Sequence, residues 1–190
     1  NKKLIAKQKP MILLGPSENV NKFPHVRTDY EGIGTRCAEY FLSKGFRNFA
    51  FCGDRVVAWS KEYGEYFSKR IAEAQLDTHI YNQQKISMWI KERPLMAKWL
   101  KSLPKPVGLM VCNDERAQFV VDACNFAKIS IPDEVAVVGV DNDELICNLA
   151  KTHTSSLNLN MEKAGYQSAQ LLHKFMDGRE KMSRQEILIE

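Results

Sequence analysis

The stretch VGLMVCNDERAQFVVDACNFAKISIPDEVAVVGVDNDEL, residues 107–145, decides the fold. It opens on Val107 to Cys112, a run of β-forming apolar residues without polar alternation. Such a run predicts a strand buried on both faces. Asn113 and Asp114 follow. Short side-chain oxygens accept hydrogen bonds from the free N–H groups of a first helical turn, so this pair predicts a cap for a helix over 115–128. A second continuous apolar run, Val135 to Val140, is bracketed by Pro132 and Asp141 and predicts the next strand. Strand, helix and strand, with both strands covered on two faces, make a parallel sheet sandwiched by helices.

The same alternation extends outward in both directions. Met11 to Leu14, between Pro10 and Gly15, predicts a buried strand, and 20–27 reads as a polar loop holding Pro24. Residues 30–44 have helical period, with Ile33, Cys37, Tyr40 and Phe41 on one face and Gly45 just past the end. Within it, Gly32-Ile33-Gly34 lacks a third glycine and reads as a helix start, not a dinucleotide fingerprint. A strand over 48–52 closes at Gly53. A helix over 59–74 aligns Tyr63, Tyr66, Phe67 and Ile71, and 80–81 reads as a short strand. Residues 86–103 are helical but interrupted by Pro94, which is expected near the first turn of the main segment. After the deciding stretch come a short helix at 144–150, an extended piece at 157–159, a helix at 161–176 ending at Gly178, and a strand at 187–189. Lys2 to Lys7 reads as the end of a helix. A chain that opens in a helix end and stops in a strand reads as a segment of a longer protein.

Composition narrows the function. The chain is 44% hydrophobic and 26% charged with net charge +4, ordinary for a globular protein. Its basic residues sit beside acidic ones, as in Lys91-Glu92-Arg93, which is not the clustered stripe of a DNA-reading surface. No apolar run approaches the roughly 18 residues of a membrane span. The five cysteines are widely spaced with no C-x-x-C, so neither a disulfide framework nor a zinc site is expected, and a reducing cytoplasm fits best. The four histidines are far apart and form no ligand pattern; neither a metal nor another cofactor is expected.

In open parallel sheets ligands bind at the carboxyl ends of the strands. The residues at those ends are Gly53-Asp54-Arg55 with Trp59 and Ser60, then Asn113-Asp114, Asp141-Asn142-Asp143, and Asn160-Met161. Carboxylates and amides bridge neighbouring hydroxyls, and an indole lies flat on an apolar sugar face. The set suits a carbohydrate or polyol. Singly, each Asp or Asn is more often a helix cap; together they point to a site. Catalytic patterns are missing: there is no G-x-S-x-G elbow, phosphate-cradling P-loop or H-E-x-x-H helix. Asp141 and Asp143 have no accompanying nucleophile or base, and Cys112 has no convincing histidine partner, so no enzyme is expected.

Three stretches carry a family resemblance. HVRTDYEGIGTRCAEYFLSKGFRNFAFCG (25–53), the deciding stretch (107–145) and TSSLNLNMEKAGYQSAQLL (154–172) resemble sensor domains of the lac-repressor and galactose-repressor type. WSKEYGEYF (59–67), MAKWLKSLPKPVGLMVCND (96–114), GVDNDELICNLA (139–150) and AGYQSAQLLHKFMDG (164–178) are most similar to the xylose-operon regulators, whose sensor is joined to an AraC-type DNA-binding domain. The resemblance implies a three-layer α/β/α, mostly parallel, type I periplasmic-binding-protein-like fold. Its C-lobe, residues 29–160, would be largely complete. Residues 1–28 would hold the last helix end and strand of the N-lobe and a hinge crossover, and 161–190 the hinge-side helix and terminal strand. Most of the N-lobe is missing. The implied function is sugar sensing, of xylose or a related sugar, in a dimeric transcription regulator whose DNA reader lies outside this segment. The alternative within the fold is the solute-binding component of a sugar transporter. The residues matching the family's ligand positions are Trp59, Ser60, Tyr63, Asn113 and Asp141. Tyr63 departs from the pattern, since relatives commonly carry Arg there and a phenol lacks the forked donors of a guanidinium. His153-Thr154 also departs, standing where many relatives have a proline-rich turn.

Overall fold

A computed structural model describes residues 9–15, 23–54, 56–81, 88–149, 152, 154–181, 183 and 186–189. In chain order the elements are β1 (Leu13–Leu14), β2 (His25–Thr28), α1 (Tyr30–Ser43), β3 (Asn48–Cys52), α2 (Ala58–Glu73), β4 (Thr78–Ile80), α3 (Trp89–Ser102), β5 (Val107–Val111), α4 (Asp114–Ala127), β6 (Val135–Asp141), α5 (Glu144–Leu149), β7 (Ser155–Asn158), α6 (Met161–Met176) and β8 (Glu186–Ile189). The chain divides into two compact units, one spanning Tyr30–Asn158 and the other made of the residues on either side of it.

The larger unit is a five-stranded sheet in the order β4-β3-β5-β6-β7, parallel at every pairing. Its central strand β5 shows why the apolar runs do not alternate. Val107, Leu109 and Val111 face one side, against Met96 and Leu100 of α3 and Val120 and Cys124 of α4. Gly108 faces the other side, where a Cβ would meet the Phe41 ring of α1 at 2.6 Å. On that same side the Phe51 and Phe67 rings lie 6.5 Å apart. Helices therefore cover both faces, and every residue of β5 is buried. Each fully buried Phe, Leu or Met side chain contributes about 2–3 kcal/mol, so the two helical layers are the main source of this unit's stability. Gly34 lies inside α1, not at its start: a Cβ there would come 2.8 Å from Tyr63 O and Phe67 N of α2, so the two helices touch backbone to backbone.

The smaller unit pairs strands from distant parts of the chain, in the order β1-β2-β8, again parallel. Val26, Ala164 and Ile189 form its core, with Ile12 and Ile187 against it.

Several sequence expectations shift. Over 25–27 the expected polar loop gives way to β2, because His25 and Val26 are buried in the middle of the small sheet, while 20–22 lie outside the described residues. The polar side chains there find partners within the small unit: His25 Nε2 meets Gly15 O, and Arg27 pairs with Glu186 of β8. The strand expected over 11–14 narrows to Leu13–Leu14, and the extended piece at 157–159 is the edge strand Ser155–Asn158. Pro94 sits inside α3 beyond its first turn. The helix end at Lys2–Lys7, residue 86 and His153 lie outside the described residues.

Candidate functional site

Three strands of the larger unit deliver polar residues at their carboxyl ends. After β3, the Asp54 N–H donates to Ser60 Oγ at 2.7 Å, and Asp54 Oδ1 accepts from Val56 N at 2.8 Å. This turn fixes the entry to α2. Ser60 is fully buried, so its hydroxyl is spent inside the wall. Tyr63, one turn further, is 3% exposed, edge-on to Tyr30 at 5.5 Å and 5.6 Å from Trp59. Burial pushes its phenol well above the ordinary tyrosine range, with Tyr30 and Asp141 adding to the shift. It stays neutral, and cannot replace a guanidinium.

After β5, Asn113 caps α4: its Oδ1 accepts from Arg116 N at 2.9 Å, which engages the oxygen and leaves the amide NH2 as a donor beside the recess described below. Asp114, expected to share this cap, does something else. It is fully buried and turns toward the β6 exit, where its Oδ2 accepts from Asp143 N at 2.8 Å and its Oδ1 from Ser156 Oγ at 2.6 Å. Asp143 is itself the cap of α5, its Oδ1 accepting from Leu145 N and Ile146 N.

Asp141 ends β6 with φ of 110°. Its side chain reaches solvent, yet the surrounding protein lifts its pKa to about 6. Partial desolvation is the largest cause, and the carboxylates of Asp114 and Asp143 add repulsion.

Between the starts of α2, α3 and α4 lies a cavity of about 330 Å³ lined by Trp59, Trp89, Asn113, Arg116 and Phe119, among others. Trp59 and Asn113 thus meet at one recess. Ser60 instead lines a second cavity of about 300 Å³ with Phe51, Gly64 and Tyr81, Tyr63 is buried against Trp59, and Asp141 stands on the β6 exit. Sequence reasoning missed the far side. Trp89 stacks on Phe119 at 4.6 Å and 14°, and its Nε1 donates to Asp122 Oδ2 at 2.9 Å. Glu92 and Arg116 form a buried ion pair that gives the recess a polar floor. The available signal was the i, i+3 spacing of Arg116 and Phe119 on a helix already assigned, which places both on one face.

Among the described residues no group of three or more His, Cys, Asp or Glu is arranged to hold a metal ion. No helix among them is long and apolar enough to cross a membrane. The cysteines are free thiols, and burial pushes Cys52 and Cys124 up to about 12, so they act as small apolar side chains.

A doubly covered parallel sheet with amide, carboxylate and indole groups at its strand ends defines a class: one lobe of an α/β small-molecule-binding fold. The chain belongs to the periplasmic binding protein-like domain family, whose model matches residues 38–190. It is 35% identical over 172 residues to the xylose operon regulatory protein of Haemophilus influenzae, covering 88% of this chain and 44% of that protein. It is 29% identical over 189 residues to the xylose operon regulatory protein of Escherichia coli K12, covering 95% of this chain and 48% of that protein. Among solved structures it is similar to a xylose-binding transcription activator, with TM-score 0.83 and 25% identity over 99% of this chain and 52% of that one. The chain spans about half the length of the curated relatives it matches.

Proposed function

We propose that this chain is the effector-binding part of a transcription regulator and senses a pentose, with D-xylose the first candidate. One observation carries the reading: an indole, Trp59, and a capping amide, Asn113, share a recess at the carboxyl ends of a parallel sheet, with the carboxylate of Asp141 on a neighbouring strand end. Stacking on an apolar sugar face, donation from the Asn113 amide and acceptance by Asp141 are the three interactions a polyol needs. The Trp89–Phe119 stack adds a second aromatic wall. The similarity to xylose operon regulatory proteins supports the same ligand class.

On this reading residues 29–160 are the C-lobe, 1–28 carry the last N-lobe strand and a hinge crossover, and 161–190 the hinge-side helix and terminal strand. Ser60 and Tyr63 act from buried positions. The protein works in the cytoplasm as a homodimer and catalyses no reaction. DNA is bound by a domain outside this chain. The sugar changes DNA binding only if it favours one arrangement of the regulator over another.

The test is a thermal-shift panel of pentoses and hexoses on the full-length protein. A ligand that binds only the folded state raises the melting temperature. A shift with D-xylose that Asp141→Ala removes is the expected result. A well-folded protein that responds to no free sugar overturns the reading.

A further inference from the structure

The β6 exit carries two consecutive non-glycine residues at positive φ, Asp141 at 110° and Asn142 at 55°. Such backbone costs on the order of 1 kcal/mol or more per residue and persists only where its surroundings hold it. The holding group is the carboxylate of Asp114, fully buried at the start of α4. Its Oδ2 accepts from the Asp143 N–H and from the Cys147 thiol at 3.5 Å. Its Oδ1 accepts from the Ser156 hydroxyl of β7, whose oxygen in turn accepts from the Asn142 N–H at 3.0 Å. One side chain thereby ties three elements, the β6 exit, α5 and β7, to the helix that Asn113 caps. The space it occupies exists because residue 139 has no side chain: a Cβ there would lie 2.3 Å from Asp114 Oδ1.

We propose that Asp114 is the positioning residue for the ligand carboxylate of Asp141: it fixes the strained turn through Asp143 and Ser156, and its charge acts on Asp141 as a neighbour. The inference rests on the reading of Asp141 as ligand-binding. The groups facing this pair are Asp143 on the β6 exit, Cys147 on α5 and Tyr63 on α2. Tyr63 is held neutral and Cys147 has its thiol raised, so the two aspartates supply the charge around Asp141. Removing the charge of Asp114 must therefore make Asp141 easier to ionise, while removing its acceptors must loosen the turn. A residue that merely stabilised the fold would do neither selectively.

The experiment measures D-xylose affinity of the full-length protein by calorimetry from pH 5 to 8, with the Asp141 carboxyl titrated by carbon NMR. In the parent protein affinity is expected to fall as pH drops through about 6, where Asp141 takes up its proton. Asp114→Asn is expected to weaken binding at pH 8 at least tenfold and to move both midpoints to lower pH. Unchanged affinity and midpoints overturn the proposal, as does a lowered melting temperature with both midpoints in place. If Asp114→Asn does not fold, Ser156→Ala decides: it keeps the charge, so affinity must fall with the midpoint unmoved, and unaltered affinity overturns the proposal. If Asp141→Ala binds D-xylose as well as the parent, the reading of Asp141 as ligand-binding fails instead. The Asp141 titration and amide exchange at Asp143 then still decide whether Asp114 holds the turn: faster exchange and a lowered midpoint support it, and no change in either overturns it.

Discussion

Glu92 of α3 and Arg116 of α4 meet fork to fork: Arg116 Nη1 donates to Glu92 Oε2 at 3.1 Å, and Nη2 donates to Oε1. The side chains are 4% and 9% exposed, so each charge depends on the other for its solvation. Breaking a buried pair from one side leaves an uncompensated charge and costs about 3–5 kcal/mol. Arg116→Met is expected to lower unfolding free energy by that amount in urea titrations. The double change with Glu92→Leu, which removes both charges, recovers most of it. Equal losses in the single and double variants would mean that packing, not pairing, dominates here.

Asp141 predicts a conflict between stability and binding. Its folded-state pKa of about 6 lies above the ordinary carboxylate value, so the folded protein holds a proton that the unfolded chain has released. Stability is therefore lost as pH rises through the window between roughly 4 and 6 and stays reduced above it. Asp141→Asn removes this penalty: unfolding free energy at pH 8 should rise by at most about 1 kcal/mol, the shift being discounted for solvent screening of an exposed group. Below pH 4 the variant and parent should coincide. Sugar binding should be lost. A variant that is less stable at pH 8 would contradict the assignment.

Gly139 and Asp114 compete for one volume. Gly139→Ala places a Cβ 2.3 Å from Asp114 Oδ1 and should destabilise by about 1–3 kcal/mol through overpacking. In an Asp114→Ala background that cost should nearly vanish, because the carboxylate is gone. A double-mutant cycle measures the coupling, and strict additivity would refute it.

Ser60 illustrates a ligand-position residue with a structural task. Ser60→Ala removes the acceptor of the part-buried Asp54 N–H and should cost about 1 kcal/mol of stability. Its effect on sugar affinity should be far smaller than that of Asp141→Ala. A loss of affinity equal to that of Asp141→Ala would place the hydroxyl in direct contact with ligand.

The strands of the large sheet were legible wherever burial is two-sided, though their order was not. Residues 107–111 and 135–140 announce themselves because helices on both faces favour an unbroken apolar run. β2 was not legible, since His25 and Arg27 are polar and their partners come from Gly15 and from Glu186, far along the chain. The strand-end polar residues were legible as a set, but their division of labour was not. Asn113 caps and Asp114 crosses to β6 and β7, and nothing local separates those roles. The Glu92–Arg116 floor was hidden for a similar reason, because charges on two separate helices read as solvated faces until packing joins them.

The pairing of β2 with β8 has a consequence for biosynthesis. Ribosomes deliver residues 30–158 as one uninterrupted stretch, and domains generally fold as units while the chain emerges. The larger unit has every strand of its sheet before β8 is made. The smaller unit cannot close until 186–189 leave the exit tunnel, because only then does Val26 find Ile187 beside it. Nascent chains arrested short of β8 would carry a finished sheet of five strands alongside a β2 edge open to chaperones and proteases.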